Sequence, residues 1–183
     1  TKLKVISDFR NHDIQNGGQG APLAPIYHKY LINKLKLDLP CCFVNIGGVA
    51  NITYYDGIKL IGFDTGPGNG LMDCFMREKL NLPFDNKGLY AKSGIINFKI
   101  LEKFIKSAYF KETWPKSLDR QEFAQILCNL NNTGLSINDS MATLLAFTVK
   151  TIILGISQVP IYPKSIIVTG GGAKNLELIK QLS

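Results

Sequence analysis

The most constraining feature of the sequence is a short apolar run that ends in an acidic residue and a glycine-rich turn, over residues 61–73. Asp64 follows the apolar residues, and glycines stand at positions 66, 68 and 70. This order predicts a β-strand, a tight turn and then a helix whose first amides have no partner within the helix. Glycine lets backbone amides approach an anion closely, so the turn suits phosphate or another oxyanion. A carboxylate beside such a turn can take a proton from a hydroxyl or a water, and Asp64 is therefore a candidate general base.

The rest of the sequence predicts an α/β protein, because strand-like and helix-like patterns alternate and glycine clusters follow several apolar runs. The predicted strands are residues 41–46, 49–55, 58–63 and 165–169, the first three forming an antiparallel meander. The predicted helices are residues 71–80, 96–108, 123–130, a long helix that begins near Asp139 or Ser140 and ends before Pro160, and a last helix from Asn175.

Charge and composition bear on the class of partner. The formal net charge is +7 over 183 residues, but the lysines are scattered and lack interleaved aromatic residues, so we expect a solvated basic face and no nucleic acid. No apolar run approaches the roughly 20 residues that span a bilayer, so we expect a cytoplasmic protein with no membrane partner. The four cysteines have no metal-ligand spacing, which favours buried reduced thiols and no metal site.

Three segments carry a family resemblance. They are Ser7-Asp8-Phe9-Arg10 with Gly17-Gly18-Gln19-Gly20, then Asn45-Ile46-Gly47-Gly48-Val49-Ala50-Asn51, and Asp64-Thr65-Gly66-Pro67-Gly68-Asn69. Their order and spacing resemble the anhydro-N-acetylmuramic acid kinase family. Residues 116–120 and the segment Gly170-Gly171-Gly172-Ala173-Lys174-Asn175 extend the match to the C-terminal part of the sequence.

The resemblance implies a fold and an activity. The fold is the actin-like ATPase (ribonuclease H-like) fold of sugar kinases, present here in part. Residues 1–40 would be the end of the first kinase domain, and residues 41–183 most of the second. The implied reaction uses ATP and water to open the ring of 1,6-anhydro-N-acetylmuramic acid and phosphorylate its 6-oxygen, a step of peptidoglycan recycling.

The resemblance also implies roles for individual residues. Asp64 would be the catalytic base that activates water. Residues that would contact ATP are Asn45, Gly47, Gly48, Gly66, Gly68, Gly170, Gly171, Gly172 and Asn175. Residues that would contact the sugar are Asp8, Arg10, Asp13 and Thr65. Mg²⁺ would offset the phosphate charge, with no protein ligand assigned to it.

The family's first phosphate loop, a Gly-Thr-Ser-x-Asp-Gly hairpin, belongs upstream of Thr1, and its closing strand and helix belong beyond Ser183. We therefore expect a fragment that is inactive alone, and either a homodimer or a partner chain that completes it. Two alternatives stay open. One is a non-catalytic remnant or half of a split enzyme, and the other is a different sugar kinase of the same superfamily.

Overall fold

The structure, a computed structural model, describes residues 4–118 and 124–183. A four-stranded sheet carries helices on both faces, so the predicted α/β class is confirmed. The strands are β1 (Cys41–Ile46), β2 (Ala50–Tyr55), β3 (Leu60–Gly66) and β4 (Ser165–Thr169). The helices are α1 (Phe9–Gln15), α2 (Pro25–Leu35), α3 (Gly70–Leu80), α4 (Leu89–Lys92), α5 (Phe98–Ile105), α6 (Ala124–Asn131), α7 (Ile137–Ser157) and α8 (Leu176–Leu182).

The strand order, β3-β2-β1-β4, brings three glycine clusters to one edge of the sheet. β2 is antiparallel to both β1 and β3, and β4 is parallel to β1. β1, β3 and β4 therefore end at the same edge. The glycines that follow these strands, around positions 47, 68 and 171, all lie at this edge, where α/β proteins place their ligands.

A β-bulge interrupts the pairing of β2 with β3. Ala50 pairs with Gly66 and Asn51 pairs with Asp64, so Thr65 is an extra residue on β3. β3 thus continues to Gly66, beyond the predicted end at residue 63, and Asp64 lies within the strand. Residues paired directly across a ladder share a face of the sheet, so Asp64 and Asn51 lie on the same face, next to the bulge.

The larger hydrophobic core lies between the sheet and α7. Fully buried members include Ile52, Phe63, Leu145 and Phe147. α7 is also long and apolar enough to cross a membrane, but 78% of its most apolar window is buried, as in the core helix of a globular protein. Its N-cap is Ser136, whose hydroxyl accepts a hydrogen bond from the Asp139 amide, so the predicted start at Asp139 or Ser140 was wrong.

The opposite face of the sheet is covered by α2. Ile32 packs there with Phe43 and Tyr55 in a second, smaller cluster. His28 is buried, its Nδ1 lies 2.7 Å from Thr53 Oγ1, and its ring stacks on Phe43 with centroids 4.6 Å apart. The N-terminal 40 residues therefore contribute part of the core around this sheet.

Other predictions needed smaller corrections. The helix predicted over 96–108 is α5, which begins after the N-cap Asn97. The helix predicted over 123–130 is α6, with Phe123 outside the described residues. Cys41 and Cys42 are buried as predicted, but Cys74 is half-buried and Cys128 is exposed, because Cys128 lies on the outer side of α6.

Candidate functional site

Two of the glycine turns are joined through their backbones. The Asn69 amide donates to the Gly47 carbonyl at 2.7 Å, and the Gly70 amide donates to the Gly48 carbonyl at 3.1 Å. A Cβ at position 68 or 70 would collide with these same carbonyls. Glycine is therefore required here for the close approach of two backbones, in addition to any contact with a ligand.

The joined turns leave some amides unused. Within residues 4–118 and 124–183, the amides of Gly48 and Gly68 have no protein acceptor. Gly47 differs, since its amide donates to the Val49 carbonyl at 3.2 Å. Gly66 differs too, because a Cβ there would collide with Thr151 of α7. Of the four glycines predicted around phosphate, the structure offers the amides of Gly48 and Gly68 and uses Gly47 and Gly66 for the turn and the core.

Residues 109–118 hold Asp64 at its amide, its carbonyl and one carboxylate oxygen. Its amide donates to the Lys116 carbonyl at 3.1 Å, and its carbonyl accepts from the Tyr109 hydroxyl at 2.6 Å. Its carboxylate Oδ2 accepts from the Leu118 amide at 2.9 Å and the Ser117 hydroxyl at 3.3 Å. Because both of these bonds reach Oδ2, they leave the lone pairs of Oδ1 to another partner.

Burial dominates the electrostatics of Asp64. The side chain is 6% exposed, and this desolvation raises the pKa of its carboxyl. Hydrogen bonds from Leu118 and Ser117 and the positive charge of Arg10 act in the opposite direction on the pKa. A carboxylate whose pKa is raised towards neutrality is a stronger base than an exposed one, provided that it is deprotonated.

Lys116 stabilises the segment that holds Asp64. Its buried Nζ donates to the carbonyls of Tyr109 at 3.2 Å and Glu112 at 2.9 Å. Burial lowers the pKa of Lys116, and Glu112 opposes this shift. The lysine therefore closes the loop between residues 109 and 116, and its ammonium is engaged by backbone rather than directed at a ligand.

The three glycines at positions 170–172 have different roles: two pack closely against β1, and one lines a cleft. Gly170 has a φ of 81°, and a Cβ there would press against the Ile46 carbonyl and Asn45 Oδ1. Gly172 is buried against Ile46, whereas Gly171 lines a cleft. Asn175 lines the same cleft and caps α8 by accepting a hydrogen bond from the Leu178 amide at 3.1 Å.

Two clefts flank the joined turns. The first has a volume of about 350 Å³ and is lined by Asn69, Met72, Asp73, Phe84, Asp85, Asn86, Lys87, Gly171, Lys174 and Asn175. The second has a volume of about 370 Å³ and is lined by Gly48, Val49, Pro67, Gly70, Leu71, Asp73, Cys74, Arg77, Leu118 and Leu127. Asp73 lines both clefts, and burial raises the pKa of its carboxyl while Arg77 opposes that shift. Asp73 thus lies between the two clefts.

The residues predicted to contact the sugar divide between the site and the scaffold. Arg10 lies close enough to Asp64 for its charge to lower the pKa of that carboxyl. Asp8 accepts a hydrogen bond from Asn11 at 2.7 Å, and Asp13 accepts one from the Gly20 amide at 2.8 Å. Thr65 is buried on the α7 side and donates to the Ala50 carbonyl at 3.2 Å. Arg10 is thus the member of this set that the structure brings to Asp64.

Sequence reasoning missed the residues that hold the Asp64 carboxylate. Ser117 and Leu118 lie 53 and 54 positions further along the chain. Asn51, which pairs with Asp64 across the ladder, belongs to the motif at residues 45–51 but had no predicted role of its own. The motif at residues 116–120 was a usable signal, although Asp119 and Arg120 lie outside the described residues.

Comparison with known proteins gives one family over the whole chain. The family model described as anhydro-N-acetylmuramic acid kinase matches residues 1–183. A protein of that name from Rhodopseudomonas palustris (strain ATCC BAA-98 / CGA009) is 46% identical over 182 residues, which are 99% of this chain and 48% of the relative. Another from Zymomonas mobilis subsp. mobilis is 41% identical over 185 residues, which are 100% of this chain and 49% of the relative. The chain thus spans about half the length of the curated relatives it matches.

Proposed function

The chain belongs to the anhydro-N-acetylmuramic acid kinase family, and from this we propose that it takes part in the ATP-dependent opening and 6-phosphorylation of 1,6-anhydro-N-acetylmuramic acid. The observation that carries the proposal is the buried Asp64 carboxylate, held by Ser117 and Leu118, beside the amides of Gly48 and Gly68, which have no acceptor among the described residues. One strongly positioned base and an amide-lined turn are what water activation and phosphoryl transfer require.

In the proposed reaction, Asp64 takes a proton from water as the water oxygen bonds to the anomeric carbon. The bond between that carbon and the 6-oxygen breaks, and the 6-oxygen attacks the γ-phosphorus of ATP. ADP leaves, and N-acetylmuramic acid 6-phosphate is the sugar product. Asp64 then returns its proton to solvent. Arg10, beside Asp64, would hold the substrate's carboxylate and keep the base ionised.

We place adenosine in the cleft lined by Gly171 and Asn175, with the phosphates directed towards the amides of Gly48 and Gly68. Mg²⁺ would accompany the phosphates and be held chiefly by them and by water, which is usual for this ion. Asp73 fits the role of its protein ligand, because it lines both clefts and is partly desolvated. Asn45, at the end of β1, would support the same turn.

The proposal also covers the domain organisation and the cellular role of the protein. Residues 1–40 would end one kinase domain and residues 41–183 would form most of the next, with a second copy or a partner chain completing the nucleotide site. The reaction would serve peptidoglycan recycling in the cytoplasm, where ATP is available.

The experiment that tests the function follows both products in ¹⁸O-labelled water. The Rhodopseudomonas palustris relative and this chain are each incubated with ATP and either the anhydro-sugar or glucose. We expect the relative to place ¹⁸O at the anomeric carbon and phosphate on the 6-oxygen of the anhydro-sugar only. Phosphorylated glucose would indicate a different sugar kinase, and rapid turnover by this chain alone would contradict its need for a completing partner.

A further inference from the structure

A row of polar side chains crosses the sheet beside Asp64. Strand pairing aligns Thr169 with Asn45, Asn45 with Asn51, and Asn51 with Asp64, so all four share one register and one face. Neighbouring strands lie about 4.8 Å apart, so Asn51 is the nearest polar side chain to Asp64 on β2. The pair Asn51–Asp64 continues the regular register of β2 and β3, and the β-bulge at Thr65 lies just beyond it, before the pair Ala50–Gly66.

Asn51 has an unused acceptor in this row. Its Oδ1 is buried and has no hydrogen-bond partner among residues 4–118 and 124–183. A buried amide oxygen without a partner loses its hydration and gains no hydrogen bond in return, so such an atom calls for an explanation. The side chain as a whole is half-buried, so a rotation of its amide would turn the oxygen towards a ligand atom that donates a hydrogen bond.

We propose that Asn51 Oδ1 accepts a hydrogen bond from the attacking water and so orients it for Asp64, an inference that rests on the proposed function. Water has two hydrogens, and Asp64 removes only one of them. The second hydrogen needs an acceptor that stays neutral. Without one, neither this hydrogen nor the attacking lone pair of the water has a fixed direction. With one hydrogen on Asp64 and the other on Asn51, the oxygen lone pair is directed out of the sheet face towards the anomeric carbon.

The chemistry balances with Asn51 unchanged. The hydrogen it holds stays on the oxygen and becomes part of the new anomeric hydroxyl, while Asp64 carries the proton that is removed. An amide is suited to this role because its oxygen accepts but does not ionise. A carboxylate in its place would compete for the proton and, as a like charge, would raise the pKa of Asp64.

The test uses the full-length Rhodopseudomonas palustris relative, substituted at the position that matches Asn51. For N51A we expect kcat to fall by roughly 10–100-fold, with KM for ATP and for the anhydro-sugar within about threefold of the unsubstituted enzyme. For N51D, which keeps an acceptor, we expect the acid limb of the pH–rate profile to move to higher pH and part of the activity to return there. A residue with only a structural role would not move that limb.

T53V is the matched control, since Thr53 is the next polar residue on the same face of β2 and pairs with His28. We expect it to lower the Tm while leaving kcat unchanged. A kcat for N51A within threefold of the unsubstituted enzyme, a rise in KM alone, or an unmoved acid limb in N51D would each overturn the inference. An unsubstituted relative that leaves the anhydro-sugar unchanged would reject the proposed function itself, and the inference with it.

Discussion

At the scale of single residues, Asp64 shows how one strand position can combine burial with basicity. Its carboxylate is 6% exposed, yet two donors and a nearby arginine keep the ionised form accessible. Desolvation is the larger influence, so the pKa stays raised. These interactions thus favour the ionised carboxylate, which burial by itself disfavours.

Replacing Asp64 with asparagine separates its chemistry from its structural role. In the full-length relative, we expect D64N at the matching position to lower kcat by roughly 10²–10⁴-fold, because the base is lost while the shape is kept. The affinity for ADP, measured by calorimetric titration, should change less than threefold. The Tm of this chain at pH 7 should hold or rise, since a buried charge with a raised pKa is removed. Asp56→Asn, in the exposed turn at the other end of β2, should leave kcat and the affinity for ADP unchanged, and equal losses of kcat in both variants would contradict the role of Asp64.

The Ser117 hydroxyl tunes the same carboxyl. Its hydrogen bond to Oδ2 lowers the pKa of Asp64, so Ser117→Ala should raise that pKa further. The active form is deprotonated, and the acid limb of kcat/KM in the relative should therefore move to higher pH in the variant, with the plateau at alkaline pH retained. A pH–rate profile measures this shift. A limb that moves to lower pH would show that Ser117 favours the protonated form instead.

At the scale of elements, the joined glycine turns act as one unit of backbone. Gly68→Ala in this chain should lower the free energy of unfolding by roughly 1–3 kcal/mol, because its Cβ would meet the Gly47 carbonyl and the turns would separate. Gly47→Ala is the matched control, since a Cβ there would lie 3.5 Å from the nearest atom, an ordinary contact. Urea denaturation of both variants measures the difference. Equal losses would indicate that the turns tolerate separation.

The packing of α2 on the sheet makes stability depend on pH. Burial lowers the pKa of His28 in the folded chain, so the unfolded chain binds more protons as the pH falls below the ordinary value of about 6.5. The stability that neutral His28 contributes is therefore present above that pH and lost below it. We expect the Tm to fall from pH 7.5 to pH 5.5, and His28→Gln to flatten this dependence. His12→Gln, at an exposed position on α1, should leave the pH dependence of the Tm unchanged. A flattened dependence in this variant would show that His12, and not His28, causes it.

The elements show what the sequence could and could not predict. The first two strands, the glycine turn and α3 follow from local patterns of apolar residues and glycines, and their predictions were confirmed. The start predicted for the third strand at residue 58 was wrong, because Ile58 lies in the turn before β3. The cap at Ser136 was missed because Asp139 and Ser140 have equally suitable side chains, and Asp139 instead accepts a hydrogen bond from the Ile95 amide. The β-bulge was missed because pairing between strands leaves no local signal. The partners of Asp64 were missed because they lie more than 50 positions away.

At the scale of the whole molecule, the N-terminal residues and the sheet share a core even though we place a domain boundary near residue 40. Ile32 of α2 is 1% exposed against that sheet, whereas Ile58 in a turn is 91% exposed. The chain as a whole spans about half the length of its curated relatives. Its own sheet nevertheless assembles three glycine turns and the candidate base at one edge.

The shared core predicts one cooperative unfolding transition. Ile32→Ala should lower the free energy of unfolding of this chain by about 2–5 kcal/mol, because it leaves a cavity between α2 and the sheet. Ile58→Ala should change it by less than about 0.5 kcal/mol. Urea denaturation followed by circular dichroism and by tyrosine fluorescence compares the variants. Two separate transitions would show that α2 unfolds independently of the sheet.

The extra residue in β3 puts the two ends of that strand out of phase. The pairing register of β3 with β2 is regular up to Asp64 and shifts by one residue after it, so that Thr65 and Gly66 both oppose Ala50. An engineer who deleted Thr65 to regularise the hairpin would gain a continuous ladder. Asp64 would still oppose Asn51 and Gly66 would still oppose Ala50, so the deletion would remove only the buried Thr65 side chain and its hydrogen bond to the Ala50 carbonyl.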